Sequence, residues 1–159
     1  MKERETFDTD PKFAGHIKNG SFGEVYRLTE NHVGKFLQET MKIHGDLEQE
    51  YDICSKAYEK GISVPKPEGI FNVKNPNTQE NTPAFVMEYI EGKTISEMFM
   101  EGHSEYISAY HLFEKETKKA MDLDFEPWDS EPRNAMWCPN KKKVYLIDFY
   151  LWRSFDKNF

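Results

Sequence analysis

The sequence predicts an α+β fold: five strands with one helix inserted among them, then helices, then a hairpin. Three observations carry this. Between Phe13 and Phe36 short β-like segments are punctuated by glycine-rich and Asn-containing turns. From Asp46 apolar residues recur at helical spacing until Gly61, and near the carboxyl end "AMWC" and "VYLID" flank a Pro-Asn-Lys turn.

Taken in order, Met1 to Asp10 reads as a frayed arm. "KFAGHI", "EVYRL" and "VGKFL" form a meander of three short strands around the turns "KNGSFG" and "TENH". Asp46 with Gln49 resembles a capping pair, and Leu47, Tyr51, Cys54 and Tyr58 then repeat along a helix that Gly61 stops. "ISVPKPEG" is a loop because of its prolines. "IFNV" and "AFVMEYI" are strands on either side of the exposed turn "KNPNTQENTP". Ile95 to Met100 makes a short helix. Ser104 caps a longer one that presents Tyr106, Tyr110, Phe113, Thr117 and Met121 on one side. "DLDFEPWDSEPRN", rich in acid and proline, is a loop before the final hairpin.

Composition narrows the function classes. A chain of 159 residues buries roughly two-thirds of its extended surface, enough for one domain. Aromatics make up 14%, which argues against disorder. The net charge of -7 disfavours nucleic acid and anionic membranes as partners. No apolar run approaches membrane-spanning length, and the polar start is not a secretory signal. Cys54 and Cys138 lack ligand-like spacing. They fit reduced thiols of a cytoplasmic protein, with a disulfide between them left open.

Three groups of residues carry chemistry. In "IKNGSFGEVY", Gly20 and Gly23 bracket Ser21-Phe22, so backbone amides can approach phosphate oxygens without a Cβ clash; an ordinary tight turn has the same pattern. Lys35 shares a strand face with Val33 and Leu37. If it points inward it needs an anion, and Glu50 is the candidate, because it shares a helix face with Ile53, Cys54 and Ala57 while Glu48 does not. A solvated lysine and a solvated glutamate are the alternative. Finally Asp129, Asn134 and Asp148 offer hard oxygen ligands and a proton acceptor. An exposed acidic loop and an Asx turn at a strand end would look the same.

In their order and setting these segments resemble the protein-kinase-like superfamily, from about Ile17 to Phe149. "IKNGSFGEVYRL" looks like the phosphate loop, "VGKF" the lysine strand and "FVMEYIEGKTI" the hinge. "DSEPRN" looks like the catalytic loop and "YLIDFY" the metal-binding segment. The resemblance implies a protein-kinase-like fold: an amino-terminal lobe of about 11–90 with a five-stranded antiparallel sheet and one helix, and a severely reduced helical carboxyl-terminal lobe of about 91–159. It implies ATP and Mg2+ as cofactors and transfer of the γ-phosphate to a hydroxyl of a protein substrate. Lys35 would then hold the α- and β-phosphates, with Glu50 keeping it in place. Lys18, Asn19, Gly20, Ser21, Phe22 and Gly23 would cover the phosphates. Ile17, Val25, Met87 and Met136 would sandwich the adenine, with Val33 beside them and backbone groups of Glu88, Tyr89 and Ile90 on its edge. Asp129 would accept or orient the substrate proton, and Asn134 and Asp148 would bind magnesium.

Departures from that pattern shape the expectation. Lys18 replaces the first glycine of the loop, Pro127-Trp128 precedes Asp129, and Tyr150 replaces the glycine after Phe149, which implies a fixed segment. Only eleven residues follow Asp148, leaving no room for an activation loop. Such economy is similar to minimal effector kinases that bacteria inject into host cells. The expected protein is accordingly a monomer, cytoplasmic or delivered to a host cytosol. A pseudokinase that binds nucleotide or a partner protein, a small-molecule kinase, and a fragment of a longer kinase remain the alternatives.

Overall fold

The computed structural model describes residues 4–20, 23–37, 47–128, 130–149 and 152–154. The protein is α+β, and among the described residues it has three α-helices and a mixed sheet of six strands. The chain divides into two compact units, Met1–Asp52 with Lys66–Tyr89 and Ile53–Pro65 with Ile90–Phe159.

The first unit is built on the sheet. Its strands are β1 (Thr6–Phe7), β2 (Gly15–Gly20), β3 (Gly23–Arg27), β4 (His32–Leu37), β5 (Pro67–Lys74) and β6 (Asn81–Glu88), arranged β1-β5-β6-β4-β3-β2. The expected five antiparallel strands are β2 to β6; the sixth, β1, pairs parallel with β5. Over its described residues the arm expected to be frayed is instead paired, at Thr6 and Phe7. The Asn72 amide donates to the Glu5 carbonyl at 2.9 Å, and Phe7 packs on Phe71 and His32, so even a two-residue strand has partners that hold it. Strand β2 runs into the glycine-rich segment that was expected to be turn. Strand β5 begins at Pro67, inside the expected loop, through an irregular register between Pro67 and Gly69. Proline is tolerated there because it is the first residue of its strand. Strand β6 likewise starts at Asn81 and ends at Glu88, short of the expected Ile90. The turn between β5 and β6 tightens around Asn75, whose side-chain oxygen accepts the amides of Asn77 and Thr78.

Alternation gives the sheet two faces. One carries Tyr26, Leu28, Phe36, Val73, Ala84 and Val86, packed with Phe7 and Phe71. The other carries Val33, Lys35, Phe85 and Met87, all buried. Tyr51 of helix α1 (Leu47–Glu59) meets Phe85 edge-on at 5.8 Å on this second face. Asp46 lies outside the described residues. Gly61 ends α1 as expected: at φ 82 its amide bonds to the Tyr58 carbonyl, and the Ile62 amide bonds to Ala57, a Schellman closure. Tyr58, expected on the apolar stripe, is exposed, whereas Ala57 is buried.

The second unit continues from α1 and resumes at Ile90. It holds β7 (Lys93–Thr94), α2 (Ile95–Met100), α3 (Tyr106–Asp122), β8 (Phe125–Glu126), a 3-10 turn (Pro132–Asn134), β9 (Ala135–Cys138), β10 (Lys143–Leu146) and β11 (Arg153–Ser154). The expected β9–β10 hairpin forms, with Lys143 opposite Cys138, and β7 adds to its edge. The acid-rich loop contains an unexpected strand, β8, paired with β11. Helix α2 starts with a capping box in which Thr94 and Glu97 each accept the other's backbone amide. Ser104 does not cap α3. Glu105 occupies the N-cap position, and its amide donates to the His103 ring nitrogen at 3.0 Å. The buried stripe of α3 is Ala109, Phe113 and Ala120, one step from the expected one, and Met121 is 55% exposed. No helix among the described residues is long and apolar enough to cross a membrane.

Candidate functional site

The residues expected to act fall into a set in each unit. In the first, the register Val25 opposite Lys35 and Lys35 opposite Phe85 puts Lys35 in the middle of the sheet. Its alternation partner Val33 is buried, so the ammonium projects from the α1 face. There Nζ donates to Glu50 Oε1 at 2.8 Å, with the two side chains only 6% and 1% exposed. Glu50 lies on the buried stripe with Ile53, Cys54 and Ala57, as its spacing required. Glu48 points elsewhere and meets Arg4 at the exposed surface. Stripping water from an ammonium and a carboxylate costs several kcal/mol for each ion, recovered only when the pair bonds well.

Gly23 closes on this pair. A Cβ at Gly23 would lie 2.7 Å from the Phe36 carbonyl oxygen and 3.3 Å from Cε of Lys35, so the strand entering the loop has no room for a side chain. Gly20 sits opposite Gly23 in the β2–β3 ladder, as the two ends of the expected phosphate loop should. Ser21 and Phe22, between them, lie outside the described residues, as does Asp129. Lys18 and Asn19 belong to the backbone of β2, opposite Val25 and Glu24. Ile17 is largely exposed, Val25 partly buried, and Met87 buried.

The segment expected to be a hinge is partly bonded within its own unit. The Glu88 amide donates to the Lys66 carbonyl, while the Glu88 carboxylate accepts the Lys66 amide. The Tyr89 amide donates to the Asn31 carbonyl at 2.8 Å, and the Arg27 guanidinium stacks 3.9 Å over the Tyr89 ring. Of the backbone groups of Glu88, Tyr89 and Ile90 expected on an adenine edge, the Glu88 and Tyr89 amides are thus engaged elsewhere. Arg27 and Asn31 were not singled out in the sequence, because their partners are distant along the chain.

In the second unit the Asn134 amide closes the 3-10 turn on Glu131, and Asn134 is buried. Its carbonyl accepts the Ile147 amide at 2.9 Å, which extends the β9–β10 pairing by one step and holds the residue immediately before Asp148. Asp148 has a left-handed backbone, φ 67, costly for most side chains and least so for Asp, Asn and Gly. Behind it Phe149 is buried edge-on against Trp152, which packs on Phe125, and the Trp152 amide returns to the Phe149 carbonyl. Met136 packs against Ile90, Cys138 and Tyr145. Trp128 is 60% exposed, its indole nitrogen donating to Glu126.

Mg2+ takes one or two protein oxygens and completes its shell with phosphate and water, so a carboxylate and an amide are suitable donors for it. Asn134 and Asp148 are the residues that would hold it. Among the described residues no three His, Cys, Asp or Glu side chains gather as a metal site. A magnesium site completed by phosphates requires no such gathering.

No protein-family model matches the chain, and no curated protein matches it.

Proposed function

We propose that this protein is an ATP- and Mg2+-dependent kinase of the protein-kinase-like superfamily, transferring the γ-phosphoryl group to a hydroxyl of a protein substrate. One observation carries the reading: the Lys35–Glu50 pair, bonded at 2.8 Å and almost fully buried. Apolar side chains of similar volume would stabilise the fold as well or better, so stability alone is a poor reason to bury two charges here. Positioning an ammonium for an anionic ligand is a better one.

In this reading the acceptor oxygen bonds to the γ-phosphorus as the bond to the leaving ADP oxygen breaks, and the hydroxyl proton passes to Asp129. Lys35 offsets charge on the α- and β-phosphates and Glu50 fixes its direction. Gly20 and Gly23 let the loop backbone come close to the phosphates. Bound Mg2+ supplies charge neutralisation and in-line orientation, with Asn134 and Asp148 as its protein ligands. With the Glu88 and Tyr89 amides engaged, the Ile90 amide is the hinge donor assigned to the adenine edge. Most of the acceleration comes from placement and fixed charge.

A second reading, a pseudokinase that binds nucleotide or a protein partner without transfer, is favoured by those engaged hinge amides and by the exposed Trp128, which precedes Asp129 in the sequence. Incubation with γ-labelled ATP, Mg2+ and candidate proteins separates the two. The kinase reading expects label on protein that falls at least about 100-fold in Asp129→Ala and in Asp148→Ala. Label that persists in both variants defeats it, and nucleotide binding without transfer selects the second reading.

A further inference from the structure

Ser63, in the loop after α1, is 4% exposed and has all three of its polar groups engaged. Its amide donates to Glu116 Oε2 at 3.0 Å, its hydroxyl donates to the Val144 carbonyl, and its carbonyl accepts the Leu146 amide at 2.8 Å. Val144 and Leu146 alternate along β10, so Ser63 acts as a one-residue strand on the edge of β10 opposite β9. One residue further on, the Ile147 amide is held by Asn134. The end of β10 is therefore gripped from both sides immediately before Asp148. Glu116, half-buried on α3 between the buried Phe113 and Ala120, fixes the Ser63 amide with its carboxylate.

We infer that Ser63, fixed by Glu116, is a positioning residue for the metal-binding Asp148. This rests on the kinase reading. A carboxylate in a left-handed conformation takes its direction from the backbone on either side, and Ser63 sets that backbone through two bonds to β10. Its hydroxyl supplies one that alanine cannot replace.

The test is a Mg2+ titration of the full chain with a fluorescent, non-hydrolysable ATP analogue at fixed concentration, so that binding rather than turnover is read. In Ser63→Ala the half-saturating Mg2+ should rise about tenfold, while nucleotide affinity at saturating Mg2+ stays within about twofold of wild type. Ser63→Thr, which keeps the hydroxyl, should restore the wild-type value. A merely structural serine would lower the melting temperature and leave the Mg2+ midpoint in place. If Ser63→Ala does not fold, Glu116→Ala decides, with Glu116→Gln as its rescue: a shifted midpoint supports the inference, an unshifted one overturns it. A midpoint that moves in Asp148→Ala but not in folded Ser63→Ala overturns the positioning role and leaves the kinase reading standing. Wild type that shows no Mg2+-dependent binding overturns both.

Discussion

Lys35 and Glu50 lie inside the first unit, joined by a charged bond of 2.8 Å between a strand and a helix. Asp148 lies two residues beyond β10 in the second unit, partly exposed and preceded by residues whose amides are held by Ser63 and Asn134. The first arrangement stores its geometry in side chains and depends on both partners. The second stores it in the main chain, where backbone sterics and neighbouring amides decide the outcome. Substitutions in the two units should consequently fail in different ways.

The largest effect belongs to the main-chain mode. A Cβ on Gly92 would stand 1.9 Å from the Trp137 carbonyl oxygen, where β7 meets β9. Gly92→Ala should cost more than about 4 kcal/mol, in the exceptional range for one substitution, read as loss of the folded baseline in chemical denaturation. Gly102→Ala, with φ 65 and open space around it, should cost only about 1 kcal/mol. Similar losses at both sites would mean that close approach is not what holds the second unit together.

Next comes the side-chain mode. Lys35→Met leaves Glu50 buried without its cation and should cost about 3–5 kcal/mol, whereas Lys35→Met with Glu50→Leu should recover most of that. Nucleotide binding should be lost in both. If the double variant is no more stable than the single, the pair's value is structural and the comparison breaks. A smaller change of opposite sign is expected at Asp148→Gly, which releases the left-handed strain and should stabilise by up to about 1 kcal/mol while removing metal affinity.

The smallest effect sits on the apolar face of the sheet. Burial, helped by the Glu24 carboxylate that accepts its hydroxyl, raises the Tyr26 pKa above 10.0. The folded chain thus keeps a proton that the unfolded chain loses near pH 10.0. Stability from this group is full below that pH and falls as pH rises through the folded pKa. Denaturation midpoints measured from neutral to strongly alkaline pH should show this decline, and Tyr26→Phe should flatten it.

How much was legible follows the same division. Strands of five or more residues announce themselves by alternation, and a glycine at a helix end is hard to misread, so β2 to β6, α1 and the facing of Glu50 toward Lys35 could be derived. Two-residue strands such as β1, β7, β8 and β11 have no period, and only distant partners define them. On α3 the buried positions are Ala109 and Ala120 where Tyr110 and Met121 are expected, because alanines carry little hydrophobic signal beside larger neighbours. Thr94 with Glu97 was readable as a Thr-x-x-Glu capping box. The contacts of Ser63, Asn31 and Arg27 with remote backbone and rings leave no local trace at all.

The proposed function requires both Lys35 and Asp148 to contribute to the binding of Mg-ATP. Calorimetric titration of ATP with and without Mg2+, into wild type, Lys35→Met with Glu50→Leu, and Asp148→Asn, tests it most directly. Wild type should bind Mg-ATP; the charge-pair variant should lose affinity in either condition, and Asp148→Asn should lose only the part that Mg2+ adds. Wild type with no binding at millimolar ATP, or affinity that neither variant changes, would contradict the account.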